Sequence, residues 1–278
     1  MGMDPYSELA EHARRGQWRL PDLPWDEPVK FAGSTRRERL LCKFDLLDAS
    51  EALYHFKLGA RRRMGELYLR AWTEHDQLTE CLEWLDTDEL RQLKALRRLQ
   101  KALFAAGQDG PDGKRRASPE RMWSVSKCPR GMPMDVESLA LRLLVDEAVT
   151  HNLFRSMARQ SHVPLARAVF NVCARDDERH GQLMKAMLGE GLAKANPVRV
   201  VALQGVVIAY VARLQNAFRP YFRSYASVTG TTTENVASEL FRAISASVGD
   251  LGPAWVRYPT ARIVHSADRS PWMLWLLR

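Results

Sequence analysis

The chain has 278 residues, of which 46% are hydrophobic and 27% are charged. These proportions are typical of a globular protein and exclude a disordered or collagen-like chain. The four cysteines have no short paired spacing, which excludes a disulfide scaffold or zinc ribbon and favours a reducing, cytoplasmic compartment. The formal net charge of +8 suits an acidic protein partner; nucleic-acid binding is a weaker hypothesis, since the basic clusters are not interleaved with aromatic residues.

The first half of the chain begins with a proline-rich segment and then becomes helical. Residues 1–34 hold four of the fourteen prolines, and we expect an irregular arm that lies across a core. From residue 35, apolar residues recur at intervals of three and four, which predicts helix as far as about residue 84. The acidic run 86–89 predicts the start of another helix. The polar, glycine-rich stretch 107–133 predicts a mobile loop.

The second half predicts four helices, each opened by a capping residue or a proline. Their expected bounds are 135–160, 164–188, 197–219 and 233–248. Residues 251–278 are expected to form an irregular tail. The most apolar window, 200–211, is shorter than the roughly 20 residues that a membrane span requires, so we expect none.

The helical periodicity decides the predicted fold class. No segment alternates apolar and polar residues as a half-buried strand does, so the sequence predicts an all-α protein. Helices of this number and length fit a bundle. No linker divides it, and we therefore expect one bundle domain over residues 35–250, with further helices toward the C-terminus.

Two neighbouring predicted helices carry ionisable residues on otherwise apolar faces. Asp177 and His180 are three residues apart, so they share one face of their helix. Glu147 and His151 lie four apart on the preceding helix. Glu147 lies about as far before the intervening turn as Asp177 lies after it, so an antiparallel hairpin places them at one level. A carboxylate that faces a carboxylate-x-x-His is half of a di-metal carboxylate site.

The segment from Asp177 to Gly181, Asp-Glu-Arg-His-Gly, resembles the Glu-x-Arg-His-Gly motif of acyl-carrier-protein desaturases. More broadly, it resembles the ferritin-like di-iron carboxylate proteins, which include N-oxygenases and hydroxylases. The resemblance implies a ferritin-like bundle in which Glu147, Asp177 and His180 ligate one or two iron ions, with manganese as an alternative. It implies an oxygen-dependent hydroxylation, desaturation or N-oxygenation of an organic substrate, either free or bound to an acidic carrier protein.

That family pattern requires a second set of ligands, for which two alignments are open. In one, His75 matches the motif histidine and Trp72 stands in the carboxylate position, provided that a turn falls near Gly59. In the other, which resembles the heme-oxygenase-like di-iron proteins, Asp48 and His55 complete the set. The candidates for the remaining ligands are therefore His75, His151, Asp45, Asp48, Glu51 and His55.

A second hypothesis is a ferritin-like scaffold or binding module that has lost part or all of its metal site. Trp72 in a ligand position favours it. Asp177 would then pair with an arginine, such as Arg142 or Arg167, and His180 would be a hydrogen-bonded core histidine. The partners that we expect are a small-molecule or carrier-bound substrate and an unidentified electron donor, and a homodimer is an open alternative.

Overall fold

The structure is a computed structural model that describes residues 5–71, 76–106, 135–251 and 255. All regular secondary structure within these ranges is helical, which confirms the predicted all-α class. The α-helices are α1 (Pro5–Arg15), α2 (Arg36–Ala71), α3 (Asp76–Ala105), α4 (Val136–Gln160), α5 (Pro164–Lys194), α6 (Pro197–Phe218), α7 (Phe222–Thr229) and α8 (Thr233–Gly249).

The four longest helices form the central bundle. α2 pairs with α3, and α4 pairs with α5, as two hairpins; contacts of α2 with α4 and of α3 with α5 join the hairpins. The shorter helices cover this bundle. α1 packs on α3 and α5, α6 and α8 pack on α4, and α7 contacts both α2 and α4. The interior of the bundle is therefore lined by one face from each of α2, α3, α4 and α5.

Local capping explains where several helices begin. The side chain of Asp135 accepts a hydrogen bond from the backbone N–H of Ser138 at 2.8 Å, and Thr232 caps α8 in the same way. Pro164 and Pro197 occupy first-turn positions, where a missing N–H costs nothing. The predicted starts of α4, α5, α6 and α8 agree with the structure.

The structure differs from the predicted boundaries at four places. α5 continues to Lys194, six residues past its expected end at 188. α2 passes through Gly59 and continues to Ala71, since one glycine costs a helix only about 1 kcal/mol. The acidic run 86–89 lies inside α3 rather than at its start. Residues 5–15, expected to be irregular, form α1, whose Tyr6 and Ala10 are buried. The predicted loop 107–133 and most of the predicted tail lie outside the described residues.

Helix α6 is the most apolar of the described helices. Residues 197–229 are the one described stretch long and apolar enough to cross a membrane, with a mean hydropathy of 1.5, but a core helix of a soluble protein passes the same test. Leu203 and Tyr210 of α6 are buried, whereas Val198 is 78% exposed and Val201 41%. An apolar sequence of this kind is typical of a helix surrounded by others, but here only one face packs on the bundle.

Candidate metal centre

Ionisable side chains from all four bundle helices meet at the middle of the bundle. Ligand atoms of Glu89 on α3, Glu147 on α4, and Asp177 and His180 on α5 all lie within 4.8 Å of one another. Lys57 of α2 lies against three of these side chains. None of the five residues is more than 3% exposed. We call them the central cluster. Carboxylates with an imidazole form a donor set that suits iron or manganese.

Equal spacing from the two turns brings the cluster residues to one level. Glu147 precedes the end of α4 by 13 residues, and Asp177 follows the start of α5 by 13. Lys57 precedes the end of α2 by 14 residues, and Glu89 follows the start of α3 by 13. With a rise of 1.5 Å per residue, each residue lies about 20 Å from its turn. The two hairpins therefore present their central residues to each other.

Lys57 is held among the carboxylates of the cluster. Its Nζ donates to Asp177 Oδ1 at 2.9 Å and to Glu147 Oε2 at 3.1 Å, and it also contacts Glu89. Burial alone would lower the pKa of Lys57, but the charges of Asp177, Glu147 and Glu89 outweigh burial and hold this pKa well above its usual value. Lys57 is therefore a buried ammonium group.

His180 presents one ring nitrogen to the cluster and the other to Asp88. Its Nδ1 lies 3.4 Å from Glu147 Oε2 and 3.5 Å from Glu89 Oε1, while its Nε2 lies 3.4 Å from Asp88 Oδ2. Burial alone would lower the pKa of His180, but the nearby carboxylates of Asp88, Glu147 and Glu89 raise it well above its usual value. Metal-binding histidines show this same disposition, with a carboxylate holding the nitrogen that faces away from the metal.

Burial and neighbouring negative charges also raise the pKa of a carboxylate in the cluster. Burial raises the pKa of Glu147 to about 7; Asp177 and Glu89 raise it further, and Lys57 opposes them. Gln92, one turn after Glu89, donates from Nε2 to Asp177 Oδ1 at 2.8 Å. Asp177 Oδ1 thus accepts from both Gln92 and Lys57, which leaves its other oxygen free for a different partner.

Four atoms of the cluster have no hydrogen-bond partner among the described residues. They are Glu89 Oε1 and Oε2, Asp177 Oδ2 and His180 Nδ1, and all four are buried. Leaving a buried polar atom unpaired costs about 1–3 kcal/mol, and native proteins contain few such atoms. A metal ion bound among them would give these atoms a partner. The donor set and its unpaired atoms therefore fit a metal ion.

A ring of ion pairs lies outside the cluster on the side of α1. Arg179 donates to Asp88 Oδ2 at 3.0 Å and also bonds Asp176. Trp18, in the segment after α1, donates from Nε1 to Asp176 Oδ2 at 2.8 Å. Burial, reinforced by the nearby charge of Asp88, raises the pKa of Asp176 to about 6. Through this ring, the N-terminal segment is tied to the residues that position His180.

Three of the candidate ligands come together, and the others do not. Glu147, Asp177 and His180 meet in the central cluster. His151 does not join them, because its Nδ1 lies 2.8 Å from the carbonyl oxygen of Ala174. The α2 candidates also lie outside the cluster: Asp45, Asp48, and the pair Glu51 and His55, which are 3.9 Å apart.

The alignment based on His75 fails for a structural reason. It required a turn near Gly59, and α2 is continuous there. His75 and Trp72 themselves lie outside the described residues. Because α2 runs on to Ala71, the level of the cluster on this helix falls at Lys57. The alternative set of Asp48 and His55 did not depend on that turn, but neither residue is in the group of ligand atoms, and His55 lies against Glu51 instead.

Sequence reasoning missed Lys57, Glu89 and Gln92, although the sequence holds a signal for two of them. Asp88-Glu-Leu-Arg-Gln92 repeats the pattern of Asp176-Asp-Glu-Arg-His180, with glutamine in the place of histidine. The search for a second carboxylate-x-x-His passed over it because the last residue differs. Lysine is not a usual metal ligand, so no ligand pattern would have singled out Lys57.

A cavity of about 580 Å³ lies beside the cluster, between α4, α5 and α8. Glu147 and Asp177 belong to its lining, and so does His151. The rest of the lining is largely polar or charged, with Arg155 and Arg159 exposed to solvent. The cavity therefore offers a polar route from the surface to two of the candidate ligands.

Comparison with known proteins supports the fold. No protein-family model matches the chain, and no curated protein matches it in sequence. Among solved structures, the chain is similar to a variant of an R2-like ligand-binding oxidase with an anaerobically reconstituted Mn/Fe cofactor; the TM-score is 0.62 at 16% identity over 90% of this chain and 94% of the other. A second variant, with a non-activated Mn/Mn cofactor, gives 0.62 at 15% identity over the same shares.

The chain has the ferritin-like fold. This likeness confirms the predicted ferritin-like bundle. At 15–16% identity the likeness concerns the fold alone, and the chemistry of this chain has to be argued from its own central cluster.

Proposed function

We propose that the chain is a metal-dependent oxidase that uses dioxygen to oxidise an organic substrate. Iron or manganese would be held by Glu89, Glu147, Asp177 and His180. The observation that carries the proposal is their buried donor set, in which Asp177 Oδ2 and His180 Nδ1 have no hydrogen-bond partner among the described residues. The Mn/Fe and Mn/Mn cofactors of the similar oxidases support the choice of metal.

A bound iron or manganese ion would supply the redox chemistry with dioxygen that protein side chains lack. The surrounding residues have positioning roles. Asp88 holds His180 by Nε2, so that Nδ1 points into the cluster. Gln92 fixes Asp177 Oδ1, so that Oδ2 is directed elsewhere. The burial of the cluster excludes bulk water, which strengthens the electrostatic interactions within it.

The cavity between α4, α5 and α8 is the proposed route for the substrate. Its largely polar lining suits a substrate with polar or charged groups better than a bare hydrocarbon. The exposed side chains of Arg155 and Arg159 supply basic groups that an acidic carrier protein would contact. Hydroxylation, desaturation and N-oxygenation are the candidate reactions. A cytoplasmic location, favoured by the scattered cysteines, completes the proposal.

The first test is metal content, with two histidine variants as a matched pair. After anaerobic reconstitution with Fe(II) or Mn(II), mass spectrometry should find metal in the unaltered protein and in His151→Ala, but little or none in His180→Ala. Both histidines contact α4 or α5, but only His180 faces the cluster. Addition of oxygen to the Fe(II) protein should then produce an optical absorption band. Metal retained equally by both variants would contradict the proposed site.

A metal-free scaffold or binding module is the second candidate function. The observation that favours it is the Lys57 ammonium, which already offers a positive charge to Glu89, Glu147 and Asp177. Under this hypothesis the unaltered protein takes up no metal after reconstitution, and Glu147→Ala affects stability alone. The same metal analysis therefore separates the two functions.

A further inference from the structure

In the central cluster, the Lys57 ammonium occupies a helix position at which a symmetric two-metal site would have a metal ligand. In four-helix bundles with two metal ions, two helices each supply a glutamate and the other two each supply a Glu-x-x-His. Here α4 supplies Glu147, and α5 supplies Asp177 with His180 three residues later. The equivalent positions on the other hairpin are Lys57 on α2 and Glu89 with Gln92 on α3. Two of the six expected ligands are therefore replaced.

Both replacements act on the carboxylates that a second ion would need. Lys57 Nζ donates to Asp177 Oδ1 and Glu147 Oε2, at 2.9 and 3.1 Å, and contacts Glu89 as well. Gln92 directs its Nε2, a donor, to the same Asp177 Oδ1 at 2.8 Å. On the α2–α3 side, Lys57 and Gln92 therefore present hydrogen-bond donors where metal ligands would stand. The remaining carboxylate there is Glu89, whose oxygens have no hydrogen-bond partner among the described residues, and the same holds for His180 Nδ1 and Asp177 Oδ2 on α5.

The charges of the cluster also balance with a single ion. When a metal ion binds, it displaces the protons of its ligands, so Glu89, Glu147 and Asp177 then carry three negative charges, His180 is neutral and Lys57 carries one positive charge. One divalent ion makes this cluster neutral, whereas a second would leave two buried positive charges without partners. Uncompensated buried charge is strongly unfavourable.

The ion pairs next to the cluster do not change this balance. Arg91 and Arg179 offset Asp88 and Asp176 in the outer ring. Arg63 of α2 bonds Asp146 of α4 in the same way. Each of these neighbouring carboxylates is paired with an arginine. They therefore supply no excess negative charge for an additional ion.

We propose that the Lys57 ammonium takes the place of one of the two metal ions of a ferritin-like centre, so that this chain binds a single divalent ion on the α4–α5 side. The inference rests on the proposed function for the presence of a metal, and it adds the number of ions and their position. Lys57 is a positioning residue that keeps a second ion out and anchors the carboxylates that hold the first.

The test is a titration of the metal-free, full-length protein with Mn(II). Native mass spectrometry should show one ion per chain, and electron paramagnetic resonance should show the hyperfine-split spectrum of an isolated Mn(II) ion. The double variant Lys57→Glu/Gln92→His restores a carboxylate and an imidazole to the α2–α3 side. It should bind two ions per chain and show the broadened spectrum of a coupled pair.

A buried cation outside the cluster provides the control. Arg63 also lies on α2 and is 1% exposed, but it bonds Asp146 rather than the cluster. Arg63→Met should therefore lose stability and still bind one ion. A gain of a second ion in this control would show that any loss of positive charge near the cluster suffices, which overturns the role given to Lys57.

The outcomes separate this inference from the proposed function. Two ions in the unaltered protein overturn the inference whatever the variants do, and the metal-dependent function stands. One ion in both the unaltered protein and the folded double variant also overturns the inference alone. No ion in the unaltered protein but a gain in the double variant overturns both the proposed function and the single-ion count, and supports only the exclusion of metal by Lys57 and Gln92. No ion in either protein overturns both.

Discussion

The two hairpins of the bundle share one pattern and present different chemistry. Asp88-Glu-Leu-Arg-Gln92 on α3 corresponds to Asp176-Asp-Glu-Arg-His180 on α5, and in each the arginine bonds the aspartate three residues before it. Lys57 on α2 lies at the level that Glu147 occupies on α4. The α4–α5 hairpin thus carries a complete set of metal ligands, whereas the α2–α3 hairpin carries only Glu89.

The difference shows that a bundle can lose metal ligands without losing its internal bonding. The Lys57 ammonium bonds three carboxylates of the cluster, and the Gln92 amide bonds Asp177. In each case a side chain of the protein bonds the carboxylates in the place of a metal ion. The shape of the bundle is accordingly a poor guide to the number of ions that it binds, and the central side chains are a better one.

The largest expected effect comes from removal of the Lys57 charge. Lys57→Met keeps a long apolar stem but leaves Glu89, Glu147 and Asp177 without their shared cation. Breaking a buried ion pair from one side costs about 3–5 kcal/mol, so the free energy of unfolding of the metal-free protein should fall by that amount in urea titration. The exposed Lys101 provides the control, and Lys101→Met should leave stability near that of the parent protein.

Two results would undermine the contrast between the hairpins. A loss below about 1 kcal/mol for Lys57→Met would mean that the ammonium is not what balances the carboxylates. Failure of Mn(II) to recover any of the lost stability would mean that a metal ion and Lys57 do not share the same carboxylate partners. The expected result is partial recovery, because bound metal returns positive charge to the cluster.

The α4–α5 hairpin could be predicted from the sequence because every signal there agrees. The cap at Asp135 and the proline at 164 fix the two helix starts, and they set Glu147 level with Asp177. Asp177 and His180 then share one helix face at a spacing of three residues. Residue type, periodicity and distance from the turn all indicate a ligand set, and the structure brings those residues together.

The α2–α3 hairpin could not be predicted because its local signals conflict with its tertiary role. The run 86–89 has the composition of a helix N-terminus, but Asp88 and Glu89 are buried inside α3, where partners from other helices stabilise them. Gly59 suggested a turn, but buried neighbours keep α2 continuous. A lysine on an apolar face also carries no ligand signal. Its role is visible only once three other helices place carboxylates around it.

Asp88 and Asp176 occupy equivalent positions, which allows an intermediate effect to be tested. Asp88 Oδ2 lies 3.4 Å from His180 Nε2, whereas Asp176 accepts a hydrogen bond from Trp18 and does not hold the histidine. Loss of the carboxylate behind a metal-binding histidine typically lowers metal affinity by about 10–100-fold. Asp88→Asn should therefore weaken Mn(II) binding by that factor in isothermal titration, and Asp176→Asn should change it much less. Equal losses would mean that Asp88 acts through general electrostatics alone.

The smallest expected effect concerns the link between the N-terminal segment and the outer ring. Trp18→Phe keeps an aromatic ring near Arg91 but removes the Nε1 donor to Asp176, a buried bond of 2.8 Å. A hydrogen bond to a charged group contributes about 1.5 kcal/mol at the low end, so urea titration should show a loss near that value. Trp25→Phe is the control, because Trp25 donates to the neutral carbonyl of Leu20 and should cost less.

Metal binding distinguishes this last effect from the others. Asp176 bonds Arg179 as well as Trp18, so it keeps one partner in Trp18→Phe, and Asp88 stays against His180. The affinity for Mn(II) should then match that of the parent protein even though stability falls. A loss of affinity comparable to that of Asp88→Asn would instead mean that the N-terminal segment positions His180 through the outer ring. The geometry of the metal ligands on the α4–α5 hairpin would then depend on residues outside the four-helix bundle.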